Sequence, residues 1–297
     1  MSKLATLLVL LSFLSPQAFA MNGIFWQPQL RDNAVSEADW RSLMQKVRLR
    51  GFDTLVMQWT RYGDAFTTVS DRARLLQKAQ AARAAGLKVV IGLNADPDFF
   101  SRQKQPLAAR ENYLRRLRER DLEQASTWAN KLAFKPDGWY ISTEIDDRNW
   151  REQAAREQMF AWLGETRRQL DEVAPAPVYI SSFFAGNMTP EAYRRQLAGM
   201  RATGVRVVVQ DGGGVQTLTD AQRELYLNAS AGCATAAPAS GIVYEIFTVN
   251  PGRVFSARPK TAAQINALLA NRGACAKDRL YFSLRYLPEA NAILQHH

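Results

Sequence analysis

The 297-residue sequence predicts a protein of the α/β class that folds as a single (β/α)8 barrel. Eight short, mostly apolar runs recur along the chain, segments of helical periodicity separate them, and most runs end in polar or aromatic residues. Each run is continuous rather than alternating, which is typical of parallel strands that helices cover on both faces. These observations predict eight strand and helix units closed into a ring.

The predicted strands are distributed along the chain from Gly23 to Tyr286. They read GIFWQPQ from Gly23, TLVMQWT from Thr54, KVVIGLNAD from Lys88, GWYISTEIDD from Gly138, PVYISSFF from Pro177, VRVVVQDGGG from Val205, GIVYEIFT from Gly241 and RLYFSLRY from Arg279. Helix start signals between them are Ser36 with Asp39, Thr189 with Pro190, and Thr261 with Gln264. Helix stop signals before the next strand are Gly51, Gly86 and Gly204.

A doubly wound open sheet is the alternative arrangement of the same elements. The first predicted strand is followed by WQPQLRDN over residues 26–33, where a dinucleotide-binding sheet would carry G-x-G-x-x-G. The three glycines at 212–214 follow the sixth strand without the Lys-Ser/Thr of a phosphate-binding loop. The sequence therefore favours the barrel over the open sheet.

Residues 1–20 are predicted to be a secretory signal peptide, which leaves residues 21–297 as the barrel domain. Lys3 provides a positive start, LATLLVLLSFL an apolar core, and Ala18 to Ala20 a cleavage site of small residues. No later stretch reaches the roughly 20 apolar residues of a membrane span. We expect a periplasmic or secreted bacterial protein with no membrane association after cleavage; a retained N-terminal anchor is the alternative.

The charge and histidine content limit the partners and the chemistry. The chain carries 38 Lys and Arg against 28 Asp and Glu, a net charge of +10, which favours anionic partners such as acidic polysaccharide. Nucleic acid is not an expected partner, because the basic residues are scattered and, over residues 109–121, mixed with acids. The only histidines are His296 and His297, so we expect no metal, no cofactor and no histidine base.

Cys233 and Cys275 are the two cysteines of the chain after the predicted signal peptide. In an oxidising compartment an even pair predicts one intramolecular disulfide between them. Two buried free thiols are the alternative, because sequence spacing does not determine whether two cysteines can meet.

A barrel of this kind builds its active site where the strands end and the following loops begin. Residues at those ends combine aromatic rings with amide and carboxyl groups, the composition that suits sugar rings and their hydroxyls. The predicted substrate-binding residues are Trp26, Gln58, Trp59, Tyr62, Asn94, Asp96, Gln210, Arg285 and Tyr286. Trp26 and Trp59 are the predicted stacking platforms, with a role as core residues as the alternative.

Three carboxyl groups at strand ends are candidate catalytic residues. Cleaving a glycosidic bond takes two carboxyl groups, one protonated and one ionised. Glu144 closes the fourth predicted strand, Glu245 lies in the seventh, and Asp211 follows the sixth as a rival for the second role. Asp146 or Asp147 is instead interpreted as a helix cap, and Asp96 before Pro97 as a turn residue.

This arrangement resembles the TIM-barrel glycoside hydrolases that carry an acid/base Glu after strand four and a nucleophilic Glu at strand seven. The resemblance implies that Glu144 is the acid/base and Glu245 the nucleophile; Thr143 stands where many of those enzymes have Asn. The stretches GIFWQP, DTLVMQWT, STE and VVVQDGGG are similar to a family of secreted bacterial barrels of unknown function grouped with glycoside hydrolases. The resemblance extends from about Gly23 to Tyr286.

Two functions are consistent with these residues. The first is a hydrolase that cleaves a polysaccharide or oligosaccharide with two carboxyl groups. The second is a non-catalytic protein of carbohydrate binding or exopolysaccharide assembly that uses the same cleft. The second predicts a groove in which Trp26 and Trp59 are exposed and no other carboxyl group lies within reach of Glu144.

Overall fold

The computed structural model describes residues 20–233, 237–252, 256–271 and 277–294. The predicted signal peptide lies outside the described residues except for Ala20, and Cys275 also lies outside them. The signal peptide and the disulfide from Cys233 to Cys275 therefore stay predictions. Among the described residues, none of the helices combines the length and the apolar character needed to cross a lipid bilayer.

Eight parallel strands close into a barrel, which confirms the predicted fold class. They are β1 (Asn22–Trp26), β2 (Thr54–Met57), β3 (Lys88–Gly92), β4 (Gly138–Asp146), β5 (Val178–Phe183), β6 (Arg206–Gln210), β7 (Gly241–Glu245) and β8 (Asp278–Phe282). Each pairs with its neighbour in chain order, and β8 pairs with β1 to close the ring. All eight strands fall within the apolar runs identified in the sequence or begin one residue before them.

Helices connect the strands and cover the outside of the barrel. They are α1 (Glu37–Leu49), α2 (Val69–Ala84), α3 (Phe99–Arg102), α4 (Leu107–Lys131), α5 (Gln153–Val173), α6 (Pro190–Ala202), α7 (Asp220–Ala231) and α8 (Ala262–Ala270). Short 3-10 helices span Leu30–Ala34, Leu284–Tyr286 and Pro288–Ala290. Two short ladders join Arg61–Tyr62 to Asn94–Ala95 and Phe247–Val249 to Ala257–Pro259.

The predicted helix boundaries have their expected physical basis. The hydroxyls of Ser36, Thr189 and Thr261 each accept a backbone N–H from the first turn of α1, α6 and α8. The glycines that follow α1, α2 and α6 have positive φ angles: 101° at Gly51, 86° at Gly86 and 91° at Gly204. Only glycine adopts that left-handed conformation without strain, so these helices end where the sequence indicates.

Two hydrophobic clusters lie on opposite sides of the barrel wall. The inner cluster takes one side chain from each strand: Phe25, Val56, Val90, Tyr140, Tyr179, Val208, Val243 and Leu280. The outer cluster packs the other face of the strands against the helices and includes Ile24, Trp26, Trp40 and Ile141. Successive side chains therefore point to opposite faces of the wall, as strand geometry requires. The inner cluster fills the barrel and carries the site at its carboxyl end.

Candidate active site

A cavity of about 580 Å³ opens at the carboxyl ends of the barrel strands. Its floor is the inner hydrophobic cluster, represented by Phe25, Tyr140 and Val243, together with Phe282. Eight of the residues predicted for the site line it: Gln58, Trp59, Tyr62, Asp96, Glu144, Gln210, Glu245 and Tyr286. Side chains from strands far apart in the chain therefore meet in one chamber.

Strand alternation explains why most of these polar side chains face the cavity. Val56, Val208 and Val243 belong to the inner cluster, and each lies two residues before a polar lining residue. Those residues are Gln58, Gln210 and Glu245 respectively. A separation of two residues keeps a side chain on the same face of a strand. The polar groups thus continue the barrel interior upward into the cavity.

An irregularity in β4 positions Glu144. Ile141 pairs with Ile180 of β5, but Glu144 rather than Ser142 pairs with the next residue, Ser181. Ser142 and Thr143 are therefore extra residues in β4, and insertions of this kind bend a strand and redirect its side chains. Both extra residues and Glu144 line the cavity.

Glu144 is half-buried at the wall of the cavity. Burial raises its pKa to about 7, and a hydrogen bond with the Gln210 amide opposes that rise. The Tyr140 hydroxyl below it donates to Ser181 Oγ at 2.9 Å, so it does not compete for the carboxyl group. Glu144 can therefore hold a proton at neutral pH.

Glu245 is the last residue of β7, and its carboxyl group is 3% exposed. Glu245 Oε2 accepts the backbone N–H groups of Gly214 and Val215, at 2.6 and 3.0 Å. Burial, followed by the nearby Asp211 carboxylate, raises the pKa of Glu245 to about 7; the two N–H bonds lower it and the charge of Glu144 raises it further. The glycine loop at 212–214 thus binds this carboxylate.

Asp211 does not line the cavity, which argues against its predicted role as the second catalytic carboxylate. It follows the inward-facing Gln210, so alternation turns its side chain away from the barrel interior. Its Oδ1 accepts the backbone N–H of Gly213 at 3.0 Å and that of Glu245 at 3.1 Å. Burial raises the pKa of Asp211 above its usual range. Asp211 is therefore a positioning residue for the Glu245 backbone and its loop.

Aromatic side chains form much of the cavity wall. Trp59 and Tyr62 pack with ring centroids 4.7 Å apart, and the Trp59 indole donates to the Pro28 carbonyl at 3.0 Å. On another wall Tyr286 packs against Phe247 at 5.5 Å. Tyr62 is 40% exposed. Trp59 is only 8% exposed, so Tyr62 offers more accessible ring surface than the predicted platform Trp59.

Trp26 and Arg285 do not line the cavity, in contrast to their predicted binding roles. The Trp26 indole is 1% exposed, packs on Trp40 at 4.5 Å and donates to Asp32 Oδ2 at 3.2 Å. Phe25 faces the barrel interior, so its neighbour Trp26 must face the helices. Arg285 forms a buried ion pair with Asp32 at 2.8 Å. The core alternative for Trp26 is thus the one that the structure supports.

Asn94 is a further predicted binding residue that does not line the cavity. It is 2% exposed, and its backbone N–H donates to the buried Asp121 carboxylate at 3.0 Å. Asp96 does line the cavity, and it also accepts the backbone N–H of Asp98 at 2.9 Å, as a turn residue does.

The interpretation of Asp146 or Asp147 as the cap of the following helix is wrong. Helix α5 begins after Glu152, well beyond both residues. Asp147 is buried and accepts the backbone and side-chain N–H groups of Asn187, at 2.8 and 2.9 Å. Asp146 accepts the backbone N–H of Arg148 at 2.9 Å. Both carboxylates therefore stabilise loops of the cavity face.

Several residues that line the cavity were not predicted from the sequence. They are chiefly aromatic or come from the β4 insertion: Phe25, Phe100, Tyr140, Ser142, Thr143, Phe183 and Phe247. Counting in steps of two back from the polar strand ends would have found Tyr140 and Phe25. Nothing in the sequence signals the insertion, because it depends on pairing with β5. Across the described ranges, no group of three or more His, Cys, Asp or Glu side chains is placed to hold a metal ion.

The closed parallel barrel, with its cavity at the carboxyl ends of the strands, defines the class of the protein as a TIM barrel. The chain belongs to the family described as Domain of unknown function (DUF4434), whose model matches residues 21–292. The uncharacterised protein YbcH of Escherichia coli (strain K12) is 56% identical over 296 residues, which cover 100% of both chains. The predicted family resemblance is thereby confirmed.

The fold is similar to that of a chitinase of known structure. A GH18 chitinase from Pseudoalteromonas aurantia is similar with a TM-score of 0.51 and 10% identity, covering 88% of this chain and 93% of the chitinase. The endo-1,4-beta-xylanase XylE of Penicillium canescens has a TM-score of 0.49 and 12% identity, covering 88% of this chain and 82% of the xylanase. At 10% identity the chitinase similarity shows the fold alone.

Proposed function

We propose that the protein is a glycoside hydrolase that cleaves an oligosaccharide or polysaccharide with Glu144 and Glu245. The observation that carries this proposal is that both carboxyl groups line one cavity and interact electrostatically, since the charge of Glu144 raises the pKa of Glu245. They come from the ends of β4 and β7. The non-catalytic alternative, in contrast, predicts no second carboxyl group within reach of Glu144.

Glu144 has the properties of the general acid. Its pKa of about 7 keeps a large share of the carboxyl groups protonated at neutral pH, so the proton is available for the departing glycosidic oxygen. The partly exposed position of Glu144 at the cavity allows contact with a bound sugar. The β4 insertion supports this role because it brings Glu144 opposite Ser181 at the cavity wall.

Glu245 has the properties of the ionised partner. The N–H groups of Gly214 and Val215 bond Glu245 Oε2 and favour the carboxylate. The other oxygen remains either to attack the sugar carbon or to take a proton from the water molecule that attacks it. Once Glu245 is ionised, its negative charge favours the protonated form of Glu144. The two groups therefore titrate as a pair, and the singly protonated pair is the active form.

The surroundings of the pair suit a sugar substrate. The aromatic wall formed by Trp59 and Tyr62 can stack against the C–H face of a pyranose ring. The amides of Gln58 and Gln210 line the same cavity and can bond sugar hydroxyls. We further propose that the enzyme acts in the periplasm or outside the cell, which the signal-like residues 1–20 support.

The proposal is tested by incubating the purified protein with a panel of polysaccharides and measuring new reducing ends. Glu144→Gln should reduce the rate at least about 100-fold, because general acid catalysis contributes on the order of 10²–10⁴-fold. Glu152→Gln is the matched control, since Glu152 is an exposed residue shortly after β4 and does not line the cavity. Wild-type activity in a folded Glu144→Gln variant would remove Glu144 from the mechanism, and sugar binding without any hydrolysis would favour the non-catalytic alternative.

A further inference from the structure

Two polar atoms at the cavity have no hydrogen-bond partner within the described protein. They are Gln58 Oε1 and Thr143 Oγ1, and both residues line the cavity while being 6% and 3% exposed. A buried polar atom without a partner costs on the order of 1–3 kcal/mol of folding free energy, so few occur in native proteins. Both residues line a ligand-sized cavity, so a bound ligand is one source of the missing partners.

The two side chains belong to one wall of the cavity. Ser142 Oγ donates to the backbone carbonyl of Gln58 at 2.7 Å, and this bond joins the end of β2 to the β4 insertion. Thr143 follows Ser142 and directly precedes Glu144 in the chain. Gln58 and Thr143 are therefore held on the same side as the proposed general acid.

Glycine at position 92 makes this arrangement possible. A Cβ atom at Gly92 would lie 2.2 Å from the Met57 carbonyl oxygen and 2.4 Å from that of Gln58. Real Cβ atoms do not approach backbone atoms so closely. The backbone at the end of β2 can therefore lie this close to β3 only because residue 92 has no side chain. The Gln58 segment thus packs directly onto β3 and reaches across it to Ser142 of β4.

The charges around the cavity are opposite in sign to the net charge of the chain. Asp96, Glu144 and Glu245 line the cavity, and Arg223 is the one basic side chain among the described lining residues. Arg223 already forms an ion pair with Asp220 at 2.7 Å and donates to the Asp211 carbonyl at 3.0 Å. The net charge of +10 therefore arises away from the cavity. A sugar acid would meet carboxylates here rather than bases.

We propose that the cavity binds an uncharged sugar residue whose hydroxyl groups bond the Gln58 amide and the Thr143 hydroxyl beside Glu144. The carboxylates of Asp96 and Glu245 disfavour sugar acids in the cavity. The inference rests on the proposed function and specifies its substrate class. An uncharged sugar thus takes the place of the anionic polysaccharide that the net charge of the sequence favours. Charges at the binding site outweigh distant charges, because salt screens the distant ones.

We test the proposal by measuring ligand affinity with calorimetry. The Glu144→Gln variant is used because it is expected not to hydrolyse its ligand. The probes are the neutral hexasaccharides of β-1,4-linked glucose, mannose and xylose, together with the glucose hexasaccharide oxidised to carboxylates at its C6 positions. We expect at least one neutral hexasaccharide to bind. The oxidised glucose hexasaccharide should bind at least about tenfold more weakly than the strongest neutral ligand, because its carboxylates meet Asp96 and Glu245, which the Glu144→Gln variant retains.

Substitutions in the same background identify the subsite. Gln58→Leu and Thr143→Val should each weaken binding of the neutral ligand about tenfold, since each leaves a sugar hydroxyl without its partner. Thr60→Val is the matched control: Thr60 is buried two residues beyond Gln58 and does not line the cavity. Thr143→Val removes an unpartnered buried hydroxyl, so its melting temperature should equal or exceed that of its parent, which separates lost binding from misfolding.

Three results would overturn the inference: tighter binding of the oxidised hexasaccharide, unchanged affinity in both Gln58→Leu and Thr143→Val, or no binding of any neutral probe. Hydrolysis by wild type with unchanged affinity in both variants would reject the subsite and keep the proposed function. Weakened binding in both variants, together with a wild type that binds but never hydrolyses, would reject the proposed function and keep the subsite.

Discussion

Glu144 and Glu245 are two glutamates whose protonation is controlled by the cavity. Each has a pKa of about 7, and in each case the largest cause is burial, which removes the water that stabilises the charged form. Hydrogen bonds distinguish the two: Glu245 receives two backbone N–H groups, whereas Glu144 bonds the Gln210 amide. The two glutamates therefore have similar pKa values but differ in the groups that bond their carboxylates.

At the residue scale, the raised pKa of Glu144 predicts a pH-dependent stability. Between the ordinary pKa of 4.5 and about 7, the unfolded chain loses this proton while the folded protein keeps it. The Glu144 contribution to the free energy of unfolding therefore falls as pH rises through this window and stays constant above it. Between pH 5 and pH 8, the free energy of unfolding should fall by about 1–3 kcal/mol more in wild type than in Glu144→Gln, as measured by urea unfolding. The exposed Glu152→Gln should match wild type, and an equal pH response in wild type and Glu144→Gln would contradict the raised pKa.

At the element scale, β2, β3 and β4 depend on one another through backbone contacts. Gly92 lets the end of β2 lie against β3, and the Ser142 hydroxyl then connects β2 to β4. The insertion in β4 supplies Ser142, Thr143 and Glu144 at this junction. The position of Glu144 is therefore a property of three strands together.

Gly92→Ala should disturb both stability and binding. The added Cβ must displace the backbone of Met57 and Gln58, which we expect to lower the free energy of unfolding by about 1–3 kcal/mol. Affinity for the neutral ligand should fall as well, because Gln58 moves with its backbone. Gly164→Ala is the control: it lies in α5 with its nearest contact, Thr203 Cβ, 3.8 Å away, and should raise stability by up to about 1 kcal/mol. Urea unfolding measures the free energy of unfolding and calorimetry the ligand affinity. Equal stability and equal affinity in the two alanine variants would contradict the close approach of β2 to Gly92.

At the scale of the whole molecule, the first and last strands close the barrel. Strand β1 pairs with β8, and the ion pair between Asp32 and Arg285 joins the segments that follow them. Both side chains are at least 96% buried, and they are 253 residues apart in sequence. Asp32 also accepts the Trp26 indole N–H. The closure therefore rests on strand pairing together with a buried polar cluster.

Asp32→Ala should destabilise the whole barrel. Removing the carboxylate leaves the charge of Arg285 buried without this ion pair, a change that costs about 3–5 kcal/mol in proteins. Glu172→Ala provides the control, because it breaks an exposed ion pair with Arg168 and should cost less than about 1 kcal/mol. Guanidinium unfolding measures both variants, and a loss below 1 kcal/mol in Asp32→Ala would show that the pair does not hold the barrel closed.

The sequence by itself determined the eight strands, their order, several helix boundaries and the catalytic candidates Glu144 and Glu245. These features follow from local patterns: apolar runs, capping hydroxyls and glycines such as Gly51. Only the tertiary structure decided which strand-end side chains enter the cavity. Trp26 and Asp211 turn outward, while the β4 insertion directs Glu144 inward. The reason is physical: a strand has two faces, and its inner face is chosen by register with neighbours that are distant in the chain.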